Sequence, residues 1–394
     1  MNITYIAQDI DAVTGIGRIV LAYARGMAAA GHEVDLISQR CSSTDLRVHR
    51  VAGFPALRSV DKFLFRVGEP LASHRTKAGI RHAFGIGSYA DVVSAQSCHR
   101  SGVALQRALP TGRIRTRNFG VYDRLSLEDE SRLMTSPKTR LVLAVSGLVR
   151  DQLLHWYDID PGKVVVVPNG IDVARYSAPF DREAVRGRFG MRPDRLVVGF
   201  LGNEFERKGV QTIIEALPLL ADVPLDVFVG GADDPGPFQR RAEDLSVVDR
   251  VHFVGRVTDP ESFLRSLDVF VFPVHYEPFG MVVIEAMAAG IPVITARTVG
   301  AVEGMTDGQE GLFLEDPLSA QEVAGRIRAA VEDRTLRDRI VERGSAAAMQ
   351  FAWPRIISEL ERLYRSLDGD PATAPATHAH GGTRPRTGGV HDPG

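Results

Sequence analysis

The chain opens with a short apolar run, NITYIA, then a polar loop, QDIDAVTGIGR. Next comes IVLAYARGMAAAGH, whose apolar residues recur at helical spacing up to Gly31, and a second apolar run, EVDLIS. Run, helix and run make a βαβ unit, because a strand buried on both faces reads as continuous apolar sequence while its crossover helix keeps one apolar stripe. DVVSAQ, LVLAVS and KVVVVPNG repeat the strand pattern, each followed by a turn or a helical period. The stretch SAPFDREAVRGRFGMRPDR, from Ser177 to Arg195, then interrupts the pattern with charge, Pro and Gly. Beyond it a second series runs through RLVVGFLG, KGVQTIIEALPLL, LDVFVGG, VHFVGR, PESFLRSLDVFVFP and HYEPFGMVVIEAMAAGIPVI.

Strands alternating with helices predict an α/β fold, with mostly parallel sheets covered by helices on both faces. At 394 residues the chain exceeds what one core organises, so two domains are expected, residues 1–175 and 176–352. The segment from Phe54 to Gly87, rich in Arg, Phe and Gly, matches neither period and is expected to be the mobile part of the first domain. FAWPRIISELERLYRSL predicts a final amphipathic helix, with Pro354 in its first turn. Residues 368–394 are rich in Pro, Gly, Thr and Ala and are expected to be disordered, and His378 and His380 there lack partners for a metal.

Composition adds bounds. Hydrophobic residues make up 44% and charged residues 24%, which excludes a disordered or fibrous class. Cys41 and Cys98 stand at no metal-ligand spacing and read as buried thiols in a reducing compartment. No apolar run is long enough to span a bilayer, and the N-terminus lacks a basic start and cleavage site, so a cytoplasmic protein is expected. The net charge of -2 hides an asymmetry: Cys41 to Gly120 holds 13 Lys or Arg against 4 Asp or Glu, a balance of +9. Nucleic acid, an anionic membrane surface, a phosphorylated acceptor and a merely solvated Arg-rich surface all suit it.

Three places carry candidate chemistry. In DAVTGIGR, Gly15 and Gly17 lie where a strand leads into a helix, and free amides there favour an anion. The dinucleotide fingerprint is incomplete, since its third glycine is absent; Asp35 falls about where its ribose-binding acid would. In NEFERKGVQT, Arg207 and Lys208 directly precede a helix starting near Val210, a cation pair suited to a diphosphate or to a solvated turn. In HYEPFGMVVIEAMAAGIPVI, Pro278 and Gly280 make a loop, and a helix closed by Gly290 follows. Glu277 then lies in the loop and Glu285 in the helix. Two carboxylates can each grip neighbouring sugar hydroxyls, but they also suit a glycosidase pair or helix-start capping.

Taken together, NEFERKGVQTIIEAL, VHFVGRV, LDVFVFPVHYEPFGMVVIEAMAAGIPVI and VVVVPNGIDVARY resemble family 4 of the retaining, nucleotide-sugar-dependent glycosyltransferases, of GT-B fold. The resemblance runs from Met1 to Leu367. It implies two Rossmann-like domains facing across a cleft, with residues 353–367 crossing back to the first domain. It assigns Arg207 and Lys208 to the donor diphosphate, Glu277 to the donor sugar, and Glu285 to the ribose. Amides of Phe279, Gly280, Met281 and Val282 would meet sugar and phosphates, Arg256 and Val257 the base, and Gly15 the diphosphate from the other domain. Asn203 stands where many members carry arginine, as in the lipopolysaccharide-core glucosyltransferase branch. Thr14 and Gly15 replace the usual glycine pair, which weakens the case for Gly17. Gln96 takes the place of a cleft histidine, with His99 three residues on; both are candidate acceptor-side residues.

The implied reaction is transfer of a hexosyl group from a nucleotide diphosphate sugar, UDP-glucose by default, to an acceptor hydroxyl with retention. The donor is a co-substrate; no cofactor, metal or nucleic acid is expected. The acceptor is expected to be anionic or membrane-associated, which places the protein in the cytoplasm or at the membrane edge. Two rivals stand beside this reading: a non-catalytic sugar-nucleotide-binding protein and a nicotinamide-dependent oxidoreductase.

Overall fold

The structure, a computed structural model, describes residues 1–11, 14–108 and 120–368. Expectations about the tail beyond Asp368, and the part of the basic segment that holds Arg113, Arg115 and Arg117, lie outside these residues. In the first half, β1 (Asn2–Ile6), β2 (Glu33–Ser38), β3 (Arg47–Arg50), β4 (Ile80–Phe84), β5 (Val92–Ala95), β6 (Leu141–Ala144) and β7 (Val164–Val166) form one sheet. Its order is β3-β2-β1-β4-β5-β6-β7, with every pairing parallel; Ile3 of β1 lies between Val34 and Ile80. In the second half, β8 (Leu196–Leu201), β9 (Leu225–Gly230), β10 (Val251–Gly255), β11 (Val269–Phe272), β12 (Val293–Ala296) and β13 (Leu312–Leu314) pair in parallel in the order β10-β9-β8-β11-β12-β13. Both sheets reverse direction of growth beside their first strand, so each has a crevice at its carboxyl edge.

The segment from Phe54 to Gly87 departs from expectation. It holds the four-turn helix Arg58–Ser73 and the central strand β4. Arg81 and His82 break the apolar run of β4, yet both are buried: the Arg81 guanidinium donates to Glu69 and Ser73, and the His82 ring bonds Tyr364 and Ser94. Polar strand residues with distant partners give no periodic signal.

The helix Trp353–Leu367 lies against the first helix, Gly15–Ala29, in the core that also holds Tyr5 and Tyr23. Its Tyr364 hydroxyl sits 2.6 Å from His82 Nδ1 and 3.2 Å from the Tyr5 hydroxyl. Where the chain passes between domains it pairs with its own return: Ile171 donates to the Phe351 carbonyl at 2.7 Å, and Trp353 donates to the Ile171 carbonyl at 3.2 Å. Cys98 is buried and Cys41 partly so, both as free thiols. No helix among the described residues is long and apolar enough to cross a membrane.

Candidate functional site

The site is built from the loops that leave the carboxyl ends of β8 and β11. After β8 the chain turns through Gly202 and Asn203; the Asn203 side-chain oxygen accepts from the Ala232 amide at 2.9 Å, so it braces this loop against the one after β9. Arg207 and Lys208 follow, directly before the helix Val210–Ala216. Glu204, at φ 61, holds the Arg207 fork from two sides, at 2.8 and 3.2 Å, while Nη1 donates to the Tyr276 carbonyl at 2.6 Å.

Glu277 lies in the loop after β11. Its backbone is fixed by the Gly300 amide, which donates to its carbonyl at 3.0 Å, and it forms an isolated bridge with Val299. Its Oε2 lies 3.6 Å from Arg207 Nη2 and 3.8 Å from Lys208 Nζ, and it is buried without a hydrogen-bond partner among the described residues. These distances are ionic rather than hydrogen-bonded, which leaves an acceptor atom in a cationic pocket. Burial pushes the Lys208 ammonium below the ordinary lysine range, against the opposing pull of Glu277. Arg207 is buried too, but its ion pairs with Glu204 and Glu277 hold it above its usual value.

The helix Met281–Ala288 begins three residues beyond Pro278, after Gly280 at φ 89. A Cβ at Gly280 would meet Val299 Cγ1 at 2.6 Å, so only glycine lets the chain turn here. The first-turn amides of Met281 and Val282 have no acceptor within the helix. Phe279 is buried edge-on against Phe351, and Met281 packs against the cores of both domains. Glu285, on the second turn, is largely buried; burial raises its pKa, and Arg18 Nη2 at 3.9 Å from the opposite domain partly offsets this. Arg256 is exposed just past β10, and Val257 covers the end of β9 at Gly230.

On the facing side, Gly15 is the first residue of its helix, and a Cβ there would meet nothing within 4 Å among the described residues. Gly17 is a correction to the expectation. Its amide already donates to Thr14 Oγ1 at 3.1 Å, and a Cβ there would lie 2.5 Å from the Asp11 backbone, so it serves the packing of the turn. Asp35 is engaged within the sheet, 2.9 Å from the His49 ring. Gln96, at the end of β5, accepts from the Asn169 amide nitrogen at 2.8 Å. His99 starts the helix His99–Ala108; its backbone donates to Glu130 at 2.7 Å and its ring lies 3.7 Å from Asp123.

The structure thus gathers Arg207, Lys208, Glu277 and the start of the helix Met281–Ala288, with Glu285 deeper and Gln96 and His99 engaged in the first domain. Residues from the first domain that sequence reasoning missed complete the junction. Ser146 Oγ donates to the Pro278 carbonyl at 2.7 Å, the Gly147 amide donates to Glu303 at 2.6 Å, and the Tyr276 hydroxyl donates to Gln152 at 2.8 Å. Arg18 joins them through Glu285. Only Glu204, an acid three residues before Arg207, left a local signal.

These features define a two-domain parallel α/β protein with a turn that carries two partly buried cations, Arg207 and Lys208, beside Glu277. Residues 181–346 match the family described as glycosyl transferases group 1, and residues 13–175 match glycosyltransferase family 4. The D-inositol 3-phosphate glycosyltransferase of Corynebacterium glutamicum is 33% identical over 254 residues, 61% of this chain and 60% of that protein. The chain therefore spans less than two thirds of that relative. The lipopolysaccharide glucosyltransferase WaaG of Escherichia coli is 26% identical over 337 residues, 82% of this chain and 87% of that one. The crystal structure of WaaG superposes with a TM-score of 0.77 at 23% identity, covering 93% of this chain and all of that one. Anabaena HepE, crystallised with UDP-glucose, superposes with a TM-score of 0.70 at 19% identity, over 93% of this chain and all of that one. The chain belongs to the group 1, family 4-like glycosyltransferases and has their GT-B fold.

Proposed function

We propose that the protein transfers a hexosyl group from a nucleotide diphosphate sugar of the UDP-glucose kind to an acceptor hydroxyl, with retention and without a metal ion. The observation that carries this is the buried, unpartnered Glu277 Oε2 held 3.6 and 3.8 Å from two cations beside a helix start. Such a carboxylate can accept from sugar hydroxyls while Arg207 and Lys208 take the diphosphate oxygens. The UDP-glucose bound to HepE supports the choice of donor.

In this reading the bond from the anomeric carbon to the diphosphate oxygen breaks, and its electron pair leaves with the diphosphate. The fixed charges of Arg207 and Lys208 and the amides of Gly280, Met281 and Val282 stabilise that developing charge, which is the task a metal performs in other sites. The acceptor oxygen adds on the same face, and its proton passes to the leaving diphosphate. Glu285 accepts from the ribose hydroxyls, and Arg256 and Val257 line the base. The acceptor, read by the first domain beside Gln96 and His99, is anionic or membrane-associated, in keeping with the +9 balance of the segment from Cys41 to Gly120.

Calorimetric titration with UDP tests the donor site. A charge-assisted hydrogen bond contributes about 1.5–3 kcal/mol, so Arg207→Ala with Lys208→Ala should weaken UDP at least about tenfold. Unaltered affinity would remove both residues from the site.

A further inference from the structure

The helix Gly147–Trp156 follows β6 of the first sheet, yet its start and its inward face serve the second-domain loop that carries Glu277. Val149 and Leu153 bury that face, and Gln152 shares it at helical spacing. Ser146, the N-cap, uses its hydroxyl in both directions: the oxygen accepts from the Val149 amide at 3.2 Å, and the proton goes to the Pro278 carbonyl at 2.7 Å. The Gly147 amide donates to Glu303 at 2.6 Å, a carboxylate on the positive end of the helix. Farther along, Gln152 Oε1 accepts from the Tyr276 hydroxyl at 2.8 Å. The residue before Glu277 and the residue after it are therefore both held by one segment of the opposite domain. No slack remains there: a Cβ on Gly300 would lie 2.1 Å from the Pro278 carbonyl and 2.6 Å from Ser146 Oγ.

We propose that Tyr276 is a positioning residue of the sugar-transfer site, which aims Arg207 and Glu277 only while Gln152 holds its hydroxyl. This rests on the reading of Glu277, Arg207 and Lys208 as the donor site. Tyr276 joins the pieces: its carbonyl accepts from Arg207 Nη1 at 2.6 Å, its peptide bond leads directly to Glu277, and its hydroxyl reaches the first domain. Glu277 Oε2 has no hydrogen-bond partner among the described residues, and both cations lie at ionic distance from it. The direction of the carboxylate therefore follows the loop that carries it. Within the second domain that loop is held less firmly, since the Glu277 amide stands 3.4 Å from the Thr298 carbonyl, the long end of a hydrogen bond. Burial raises the Tyr276 hydroxyl above the ordinary tyrosine range, so it stays a donor to Gln152 at working pH. Arg207 keeps its two bonds to Glu204 when the Tyr276–Gln152 bond is lost, so nucleotide binding survives. What fails is the fixed aim that the developing charge of the transition state requires.

The test measures kcat and KM for donor cleavage by the full chain, with UDP affinity by calorimetry, in Tyr276→Phe, Gln152→Leu, the double variant and Gln152→Glu. Tyr276→Phe and Gln152→Leu should each lower kcat about tenfold, the most that one ordinary hydrogen bond supplies, with KM and UDP affinity within about twofold of wild type. The double variant should be no slower than either single one, because both remove the same bond. Gln152→Glu still offers an acceptor oxygen and should keep kcat within about twofold of wild type. A merely structural role would shift the melting temperature and leave the single losses to multiply. Gln152→Leu at full kcat, losses that multiply in the double variant, or Gln152→Glu as slow as Gln152→Leu overturns the proposal while the donor reading stands. A wild-type chain that cleaves no nucleotide sugar overturns the donor reading, and this positioning role with it.

Discussion

Glu285 shows what the candidate site costs the fold. Burial lifts its carboxyl above the ordinary glutamate range, and Arg18, 3.9 Å away across the cleft, offsets only part of that. The native state therefore binds the proton more tightly than the unfolded state. The stability this lends is full at pH values below the unfolded glutamate pKa and is lost as pH rises toward the raised value. At neutral pH the ligand-free protein holds a carboxylate it would be better without. Glu285→Gln should accordingly raise the melting temperature at pH 7 and narrow its difference from wild type in acid, while weakening UDP binding. Calorimetric melts across pH read the first effect and titration the second; a variant less stable than wild type at pH 7 would contradict the account. The same residue scale explains what sequence could deliver. Arg207, Lys208 and Glu277 belong to compact motifs and are legible, and the structure brings both cations within 4 Å of the Glu277 carboxylate. Arg18, Gln152 and Ser146 come from the other domain and carry no local signature, because their partners are set by how the domains meet.

At the scale of elements, apolar runs predicted most strands, since strands of a parallel sheet are buried on both faces. β4 escaped because Arg81 and His82 are satisfied by Glu69, Ser94 and Tyr364, residues that only the folded chain brings near. Burial depresses the His82 pKa to about 3, so the ring stays neutral and fits its strand without a counter-charge. The helix Arg58–Ser73 escaped for the opposite reason: its apolar period is present, but it marks the outside. Gly17 stands where the sequence predicts an anion-binding glycine, yet the turn uses its amide for capping and its missing side chain for space. Gly280 is where one element decides the site. It turns the Glu277 loop into the helix Met281–Ala288 at φ 89, against Val299. Gly280→Ala should cost about 1–3 kcal/mol in denaturant unfolding, from left-handed strain and the clash, and should also weaken UDP by tilting the first-turn amides. A variant as stable as wild type would show that the turn tolerates a side chain.

For the whole molecule, the chain's exit from the first domain and its return are hydrogen-bonded to each other at Ile171, Phe351 and Trp353, and a Cβ on Gly170 would strike the Trp353 ring at 2.3 Å. The two domains thus share one paired crossing, while Ser146 and Gln152 touch the loop after β11 and Arg18 approaches Glu285 of the helix that follows it. The proposed cleavage of a nucleotide sugar at its anomeric carbon, with Glu277 orienting the sugar, belongs to this junction. It is tested most directly by phosphorus and proton NMR of a panel of nucleotide sugars, UDP-glucose first, incubated with the protein without acceptor. Wild type should release the nucleoside diphosphate slowly, with the retained anomer as the first sugar formed. Glu277→Ala, folded as wild type by circular dichroism, should be at least about 100-fold slower. A panel left intact by the wild-type protein, or a Glu277→Ala variant that cleaves as fast as wild type, would contradict it.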